Sequence, residues 1–408
     1  MLATVAVIGG GGTGIAAAYD LALQGFNVFL LEKGEFTSGT TGRHHGQLHS
    51  GARYAVKDPE IGRECMRESA ILRSIAPHCI EGNGGLFVSL TAEDDEYSGT
   101  FIDSCGKAGI PVQRLTGDEA RSAEPALSKS VRSAVSVPDG TIDAFRLPSS
   151  FLAGAVESGA KPANFCEATA VEVTGDSVRS VSFFDLIEKK EYSLETDIVI
   201  NAAGPWSGMV AEKAGCSLEI TPAPGTMVAV EGRKVNRVIS RLSPPGNGDI
   251  IVPQRKQLII GTTEWVTDDP EALQPRDEDI PFLIEEAEKM IPNFGSLPRV
   301  SAWAAARPLA GKAHDDADTE RQALTRGFSV IDHGNKDHGH KAKGFFSIVG
   351  GKATILRKMG EVCTDAVLDF IGSKRKCSTT DILLPSWREL YKKGALPRPG
   401  SYTSVRVC

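Results

Sequence analysis

The stretch that most constrains this chain is its beginning. Val5-Ala-Val-Ile8 is a short apolar run, as expected of a strand buried on both faces. Gly9, Gly11 and Gly14 follow at the spacing G-x-G-x-x-G. Residues 15–24 read as a helix of small and apolar residues, and residues 28–31 as a second strand, closed by Glu32 eighteen positions past Gly14. Each part has a mechanical reason. Gly9 permits a tight turn, Gly11 lets backbone approach a pyrophosphate, and Gly14 lets the helix pack closely on the strand. The helix start, with Gly12 and Thr13, offers free N–H groups and a positive dipole end to phosphate. Glu32 can accept hydrogen bonds from the ribose hydroxyls of an adenosine, and repels a 2′-phosphate. Strand, turn, helix, strand and acid in this order predict dinucleotide binding. The motif alone does not separate FAD from NAD.

The 408 residues suffice for two or three domains' worth of core. The net charge of −7 argues against a nucleic-acid surface. No run of 18 apolar residues occurs, so no spanning helix is expected, and a core strand starting at residue 5 leaves no room for a secretory leader. Eight cysteines are scattered without C-x-x-C spacing, which predicts reduced thiols in a cytoplasm and no zinc or iron–sulfur site. Residues 333–343 carry three histidines without a supporting carboxylate or cysteine pattern, and read as a solvated hairpin rather than a metal site.

Residues 36–54 are rich in Gly, Ser, Thr and His and lack periodicity. A loop this long is usually functional, and it leaves the end of the second strand, where such a sheet binds its ligand. Helices are expected at 58–76, 92–108, 116–123, 146–157, 207–214, 277–290 and from about 355 to 371. Strands are expected at 86–90, 167–173, 178–185, 192–194, 227–230, 250–253, 258–262 and 328–332, with a turn at 138–141. Two further stretches pair a buried strand with small residues and a helix start. They are Asp197-Ile-Val-Ile-Asn-Ala-Ala-Gly-Pro-Trp206 and Phe345-Phe-Ser-Ile-Val-Gly-Gly-Lys-Ala-Thr-Ile-Leu-Arg357. The first is equally a core strand with a tight turn; the second is a second cradle for a large cofactor. Residues 385–408 hold three prolines and little periodicity, and are expected to be partly disordered.

Several segments together resemble the FAD-dependent glycerol-3-phosphate dehydrogenases, in particular the anaerobic-type catalytic subunit, within the D-amino-acid-oxidase-like flavoproteins. They are Thr41-Gly-Arg-His-His-Gly-Gln-Leu-His-Ser-Gly-Ala-Arg-Tyr54, Pro138-Asp-Gly-Thr-Ile-Asp143, Asn201-Ala-Ala-Gly204, Gly261-Thr-Thr263, Arg307-Pro-Leu309 and Gly350-Gly-Lys352. The resemblance implies an α/β, Rossmann-like FAD-binding domain built from discontinuous segments, 1–82, 142–215 and 326–384. It adds an α+β substrate domain with a mixed or antiparallel sheet, 83–141 and 216–325, and a tail, 385–408.

The resemblance also implies a non-covalent FAD. Gly9, Gly11, Gly12, Thr13, Gly14, Glu32 and Lys33 take its ADP half, with Ala170 and Val171 on the adenine side. Thr40, Thr41, Arg43, His44, His45, Gly46 and Leu48 lie along it, as do Ala202, Ala203, Gly204, Trp206, Gly350, Gly351, Lys352, Ala353 and Thr354. An anion pocket is implied from Arg53, Tyr54, Arg307, Arg326 and Lys352. A phosphate dianion wants several fixed cations, and arginine supplies bidentate geometry. The chemistry implied is transfer of a hydride from a secondary alcohol carbon to flavin N5. His49 is placed near the reacting hydroxyl, either handling the proton or only bonding the flavin; Arg307 is the other residue placed at the reacting centre.

Departures leave the substrate open among glycerol 3-phosphate, a related phosphorylated polyol and a phosphonate. His44 stands where the family often has Asn, Gln47 where it has an apolar residue, and Ala304-Ala-Ala306 replaces a bulkier sequence. The anaerobic family's cysteine-containing C-terminal domain has no counterpart before Cys408, so the electron acceptor is open among a quinone, oxygen and a partner subunit. Two other functions compete: an FAD-dependent 2-hydroxy-acid or amine oxidase or dehydrogenase, and a non-catalytic flavin electron-relay subunit. The expected location is cytoplasmic, with peripheral association at the inner face of a membrane left open.

Overall fold

A computed structural model describes residues 3–311, 327–335, 342–392, 396, 398–402 and 404–407. The chain forms two compact units: Met1–Gly42, Phe145–Pro222 and Arg307–Cys408 make the first, Arg43–Ala144 and Ala223–Ala306 the second.

The first unit is built on a six-stranded sheet ordered Phe328–Asp332, Phe345–Gly350, Ile198–Asn201, Thr4–Ile8, Asn27–Leu31, Lys161–Ala163. All neighbours are parallel except the edge strand Phe328–Asp332. Val5, Val7, Val28 and Leu30 are fully buried, as a sheet covered on both faces requires. Helix Gly12–Leu23 is made of small residues because its neighbours press on it. A Cβ on Gly360 of helix Leu356–Phe370 would come within 2.7 Å of the Ala16 backbone, and one on Gly154 of helix Arg146–Glu157 within 2.7 Å of the Tyr19 ring. The opposite face packs Phe29 and Leu31 into one core with Val171, Val181, Phe183 and Tyr192 of a second, antiparallel sheet.

Part of the tail belongs to that second sheet. Val405–Val407 is its edge strand, paired with Lys190–Glu195. Arg398 forms an ion pair with the fully buried carboxylate of Asp185, and Tyr402 meets Phe29 edge-on at 5.6 Å. A buried carboxylate demands a cation, and apolar Val405 and Tyr402 have a core to join.

In the second unit an eight-stranded sheet runs Arg299–Ala310, Ile220–Glu231, Gln257–Gly261, Ile250–Gln254, Val238–Arg241, Gly85–Ser89, Ser133–Val137, Gln113–Thr116. It is mixed: Val238–Arg241 runs parallel to Gly85–Ser89 and antiparallel to Ile250–Gln254. Helix Asp279–Met290 buries Leu283, Ala287 and Met290 against it. A small sheet joins Gln47–Leu48, Gly140–Ile142 and Ile80–Glu81. Residues 43–82, expected with the cofactor-binding segments, therefore lie in the second unit. The reason is local packing: Ile80–Glu81 pairs with Gly140–Ile142, and a Cβ on Gly62 would sit 3.2 Å from that of Ala108. The expected turn at 138–141 shrinks to two residues, because Gly140–Ile142 is a strand. Among the described residues no helix is long and apolar enough to cross a membrane.

Candidate functional site

In the first unit the loops at the carboxyl ends of the central strands hold Gly9, Gly11, Glu32, Ala202–Gly204 and Gly351. Gly9 has φ +110°, and a Cβ there would lie 2.5 Å from the Ala202 carbonyl oxygen. A Cβ on Gly14 would lie 1.9 Å from the Gly9 oxygen, so helix and turn touch where only hydrogen fits. Gly11 caps helix Gly12–Leu23 without a side-chain bond, and its first turn carries no acid. That end is therefore electropositive and open to an anion. Thr41 Oγ1 accepts from the Gly12 amide at 2.9 Å, tying the turn Thr40–Arg43 to the cradle. Thr37 is buried with φ +70°, a strained conformation for a non-glycine residue, and its amide donates to the Gly10 carbonyl at 2.9 Å.

Glu32 does more than face a ribose. Its two carboxylate oxygens accept from the Gly10 and Gly34 amides, both at 2.7 Å, which fixes the carboxylate across the glycine turn. Each oxygen keeps a lone pair for a sugar hydroxyl. Lys33 Nζ lies 4.7 Å over the Trp206 ring. On the strand Cys166–Thr174, Ala170 is exposed and Val171 buried, and the Val171 amide donates to the Lys213 carbonyl at 3.3 Å.

Asn201, quoted in the sequence for its motif alone, has a clear structural task. Fully buried, it donates to the Ser207 carbonyl at 2.8 Å and to Ser347 Oγ at 3.1 Å, and accepts from the Ala203 amide at 3.3 Å. This shapes the turn through Ala202, Ala203 and Gly204. Gly204 has φ +58° and would project a Cβ into open space. Next to it, Trp206 Nε1 is buried without a hydrogen-bond partner among the described residues. A tight glycine cradle, an uncapped helix start, a fixed carboxylate and an orphaned indole donor fit an adenine dinucleotide such as FAD. The second cradle also needs its glycines: Gly350 and Gly351 have φ +82° and +90°, and Cβ atoms there would meet Gly327 O and Met359 Sδ. Lys352 follows as N-cap of the turn Ala353–Ile355, where Thr354 is buried.

In the second unit, residues 43–54 form a backbone-anchored polar segment. The Arg43 carbonyl accepts from Trp303 Nε1 at 2.6 Å. His44 Nδ1 accepts from the Gly46 amide at 2.8 Å, and burial, opposed in part by Asp143, pushes its pKa down to about 4. His44 is therefore a neutral imidazole at physiological pH. His45 Nδ1 accepts from the Gln47 amide at 3.2 Å. Gly46, at φ +84°, leaves no room for a side chain against Gln254, which donates to the Gly46 and Ile142 carbonyls. His49 is buried, with Nε2 3.4 Å from the Tyr54 hydroxyl; Leu48 before it is fully buried.

The predicted cations are placed differently from one another. Arg53, expected to hold substrate, is committed to Asp249: NH1 and NH2 donate to the two carboxylate oxygens at 2.8 and 2.9 Å, and both side chains are only 7% exposed. NH2 also donates to the Gly246 carbonyl at 3.2 Å. The bidentate fork is thus spent on a loop 196 positions away, a partner no local pattern reveals. Arg307 is half-buried on the strand Arg299–Ala310, and Lys352 is half-buried. Arg326 lies outside the described residues, as do residues 336–341 of the histidine-bearing stretch. Among the described residues no group of His, Cys, Asp and Glu could hold a metal, and the cysteines Cys65, Cys79, Cys105, Cys166, Cys216, Cys363 and Cys377 are free thiols.

The family model described as FAD dependent oxidoreductase (DAO) matches residues 4–342. One subunit of the anaerobic glycerol-3-phosphate dehydrogenase of Haloferax volcanii is 39% identical over 394 residues, covering 94% of this chain and 66% of the relative. The corresponding Escherichia coli subunit is 38% identical, covering 97% and 73%. The chain thus spans about two thirds to three quarters of the length of these relatives. A glycerol-3-phosphate dehydrogenase from Bacillus halodurans, solved with FAD, superposes with a TM-score of 0.71 at 24% identity, covering 94% of this chain and 67% of that one. With its glycine cradles formed and this match along most of its length, the chain belongs to the family of FAD-dependent oxidoreductases.

Proposed function

We propose that this chain oxidises the secondary alcohol of sn-glycerol 3-phosphate, or of a close phosphorylated analogue, to the ketone. The observation that carries the reading is the 38% identity to the Escherichia coli anaerobic glycerol-3-phosphate dehydrogenase over 97% of the chain. When bound, FAD supplies the chemistry by accepting the hydride from the alcohol carbon at N5. In this reading Gly9, Gly11, Gly14 and Glu32 hold the ADP half, and the Gly350–Thr354 turn helps to hold the remainder.

The protein's own tasks are binding and proton handling. Arg307 and Lys352, with Arg326, supply positive charge for a phosphate dianion. His49 takes the hydroxyl proton through Nε2, the nitrogen that faces Tyr54. The Tyr54 hydroxyl lies 3.4 Å from that nitrogen and helps to fix the ring. Arg53 holds the loop that carries Asp249 rather than the substrate. A partner subunit takes the electrons, a role suggested by the names of the relatives; a quinone reached by peripheral membrane association is the other route.

The test is anaerobic mixing of the FAD-loaded protein with a substrate panel while flavin absorbance is followed. Bleaching by glycerol 3-phosphate, with none by 2-hydroxy acids or amines, is the expected result. Bleaching by a hydroxy acid or amine alone assigns the oxidase reading, and bleaching by nothing assigns a relay role.

A further inference from the structure

The Pro138-Asp-Gly140 turn has no part in the chemistry above, yet its carboxylate is built into the segment that carries His49. Asp139 is 2% exposed. Its Oδ1 accepts from the Ser50 amide at 2.7 Å and from the Ser50 hydroxyl at 2.6 Å, and its Oδ2 from Gln47 Nε2 at 2.9 Å. From helix Pro59–Ile75, Arg73 donates to the Pro138 and Asp139 carbonyls at 3.1 and 2.9 Å, bringing a cation beside the carboxylate. The surroundings admit no larger residues: a Cβ on Gly85 would lie 2.9 Å from that of Asp139, and one on Gly140 2.7 Å from Arg73 NH2.

The two residues held by this carboxylate, Gln47 and Ser50, bracket Leu48 and His49. The backbone of His49 is therefore pinned on both sides by one buried acceptor, while its ring is pinned by Tyr54. Gln47 adds a side-chain donor to the carboxylate besides the two from Ser50. An amide at 139 replaces one acceptor oxygen by a donor and removes the charge, so Gln47 or Ser50 must turn to accept from it and the charge-assisted hold on residues 47–50 is lost.

We propose that Asp139 is a positioning residue for the reaction: it locks residues 47–50, with Gln47 as a supporting donor, so that His49 meets the substrate hydroxyl in one ring orientation. This rests on the reading of His49 as the proton acceptor. Displacing a reacting group by about 1 Å costs roughly 100-fold in rate.

The experiment is a double-mutant cycle in the FAD-loaded protein, reading anaerobic flavin reduction by glycerol 3-phosphate, with FAD content and melting temperature as folding controls. Asp139→Asn should slow flavin reduction roughly 100-fold and leave the half-saturating substrate concentration within about twofold. In a His49→Ala background the same substitution should cause no further loss, because its effect passes through the missing imidazole. An equal loss in both backgrounds, or full activity of Asp139→Asn, overturns the proposal. If Asp139→Asn fails to retain FAD, Gln47→Leu runs the same cycle. A loss of roughly tenfold confined to the His49-containing protein supports the proposal, and no loss or an additive one overturns it. Full flavin reduction in His49→Ala alone would instead remove the His49 reading, and Asp139's part with it.

Discussion

Asp20 gives the sharpest thermodynamic prediction. It lies on helix Gly12–Leu23 with 1% exposure, and neither carboxylate oxygen meets a donor in hydrogen-bonding geometry among the described residues. Burial raises its pKa from 3.8 to about 6; Glu361 and Asp365 add to the rise, and the nearby Cys377 thiol and Gln24 amide offset part of it. The folded state therefore holds this proton more tightly than the unfolded chain. The penalty for ionisation is absent below about pH 3.8, grows as pH rises through the window to about 6, and is constant above it. At about 1.4 kcal/mol per pKa unit, the full penalty is on the order of 3 kcal/mol. Asp20→Asn removes the charge but keeps a buried amide, which costs about 1 kcal/mol. The variant should be more stable at pH 7.5 by about 1–2 kcal/mol, worth about 2–4 °C per kcal/mol in melting temperature for a unit of this size. Calorimetry at fixed FAD, from pH 4 to pH 8, is the assay. The variant's advantage should shrink steadily below pH 6, vanish at about pH 4.5 and turn into a small deficit at pH 4. A variant that is less stable at pH 7.5, or that keeps the wild-type slope between pH 4 and 6, would refute the reasoning by showing that ionised Asp20 is paired.

The remaining predictions concern the cradle and the cations. Gly14→Ala drives a methyl to within 1.9 Å of the Gly9 carbonyl, so the purified protein should lose its flavin absorbance; a yellow, stable variant would contradict the packing. Asp249→Ala strands the nearly buried Arg53 and should cost about 3–5 kcal/mol by denaturant unfolding, whereas a loss below about 1 kcal/mol would mean that Arg53 swings to solvent. Arg307→Gln should retain FAD and raise the half-saturating glycerol 3-phosphate concentration by roughly tenfold or more, read from flavin bleaching. Unchanged saturation would remove Arg307 from phosphate binding.

What the sequence disclosed follows the range of the forces involved. The glycine turn, its helix and Glu32 are legible because strand, turn and helix start are set within about thirty consecutive residues, and each glycine answers a contact that its motif names. The Gly350-Gly351 cradle is legible for the same reason. The edge strands are not: exposed polar residues blunt alternation in Gln113–Thr116, Val405–Val407 is only three residues long, and pairing across the sheet is what reveals them. The fate of Arg53 was hidden for a different cause. An arginine near a glycine loop looks the same whether or not its fork meets a carboxylate 196 positions on, and Arg53 is paired with Asp249. Asp139 belongs to this class: its motif is visible, but its partners Gln47 and Ser50 lie about ninety positions upstream.

The order of strands in the first sheet has a consequence for how the protein is made. Thr4–Ile8 is made about 190 residues before its neighbour on one side, Ile198–Asn201, and the next strand beyond that is Phe345–Gly350. The carbonyl that presses on Gly9 belongs to Ala202, so the nucleotide-gripping turn is completed only once residue 202 has been made. Its second glycine pair arrives nearly 150 residues later. Such distant pairings are slow to find. Cofactor capture therefore waits for both cradles, and flavin supplied once residue 351 has been made would act as a fastener for a nascent chain whose strand Thr4–Ile8 has waited for its partners.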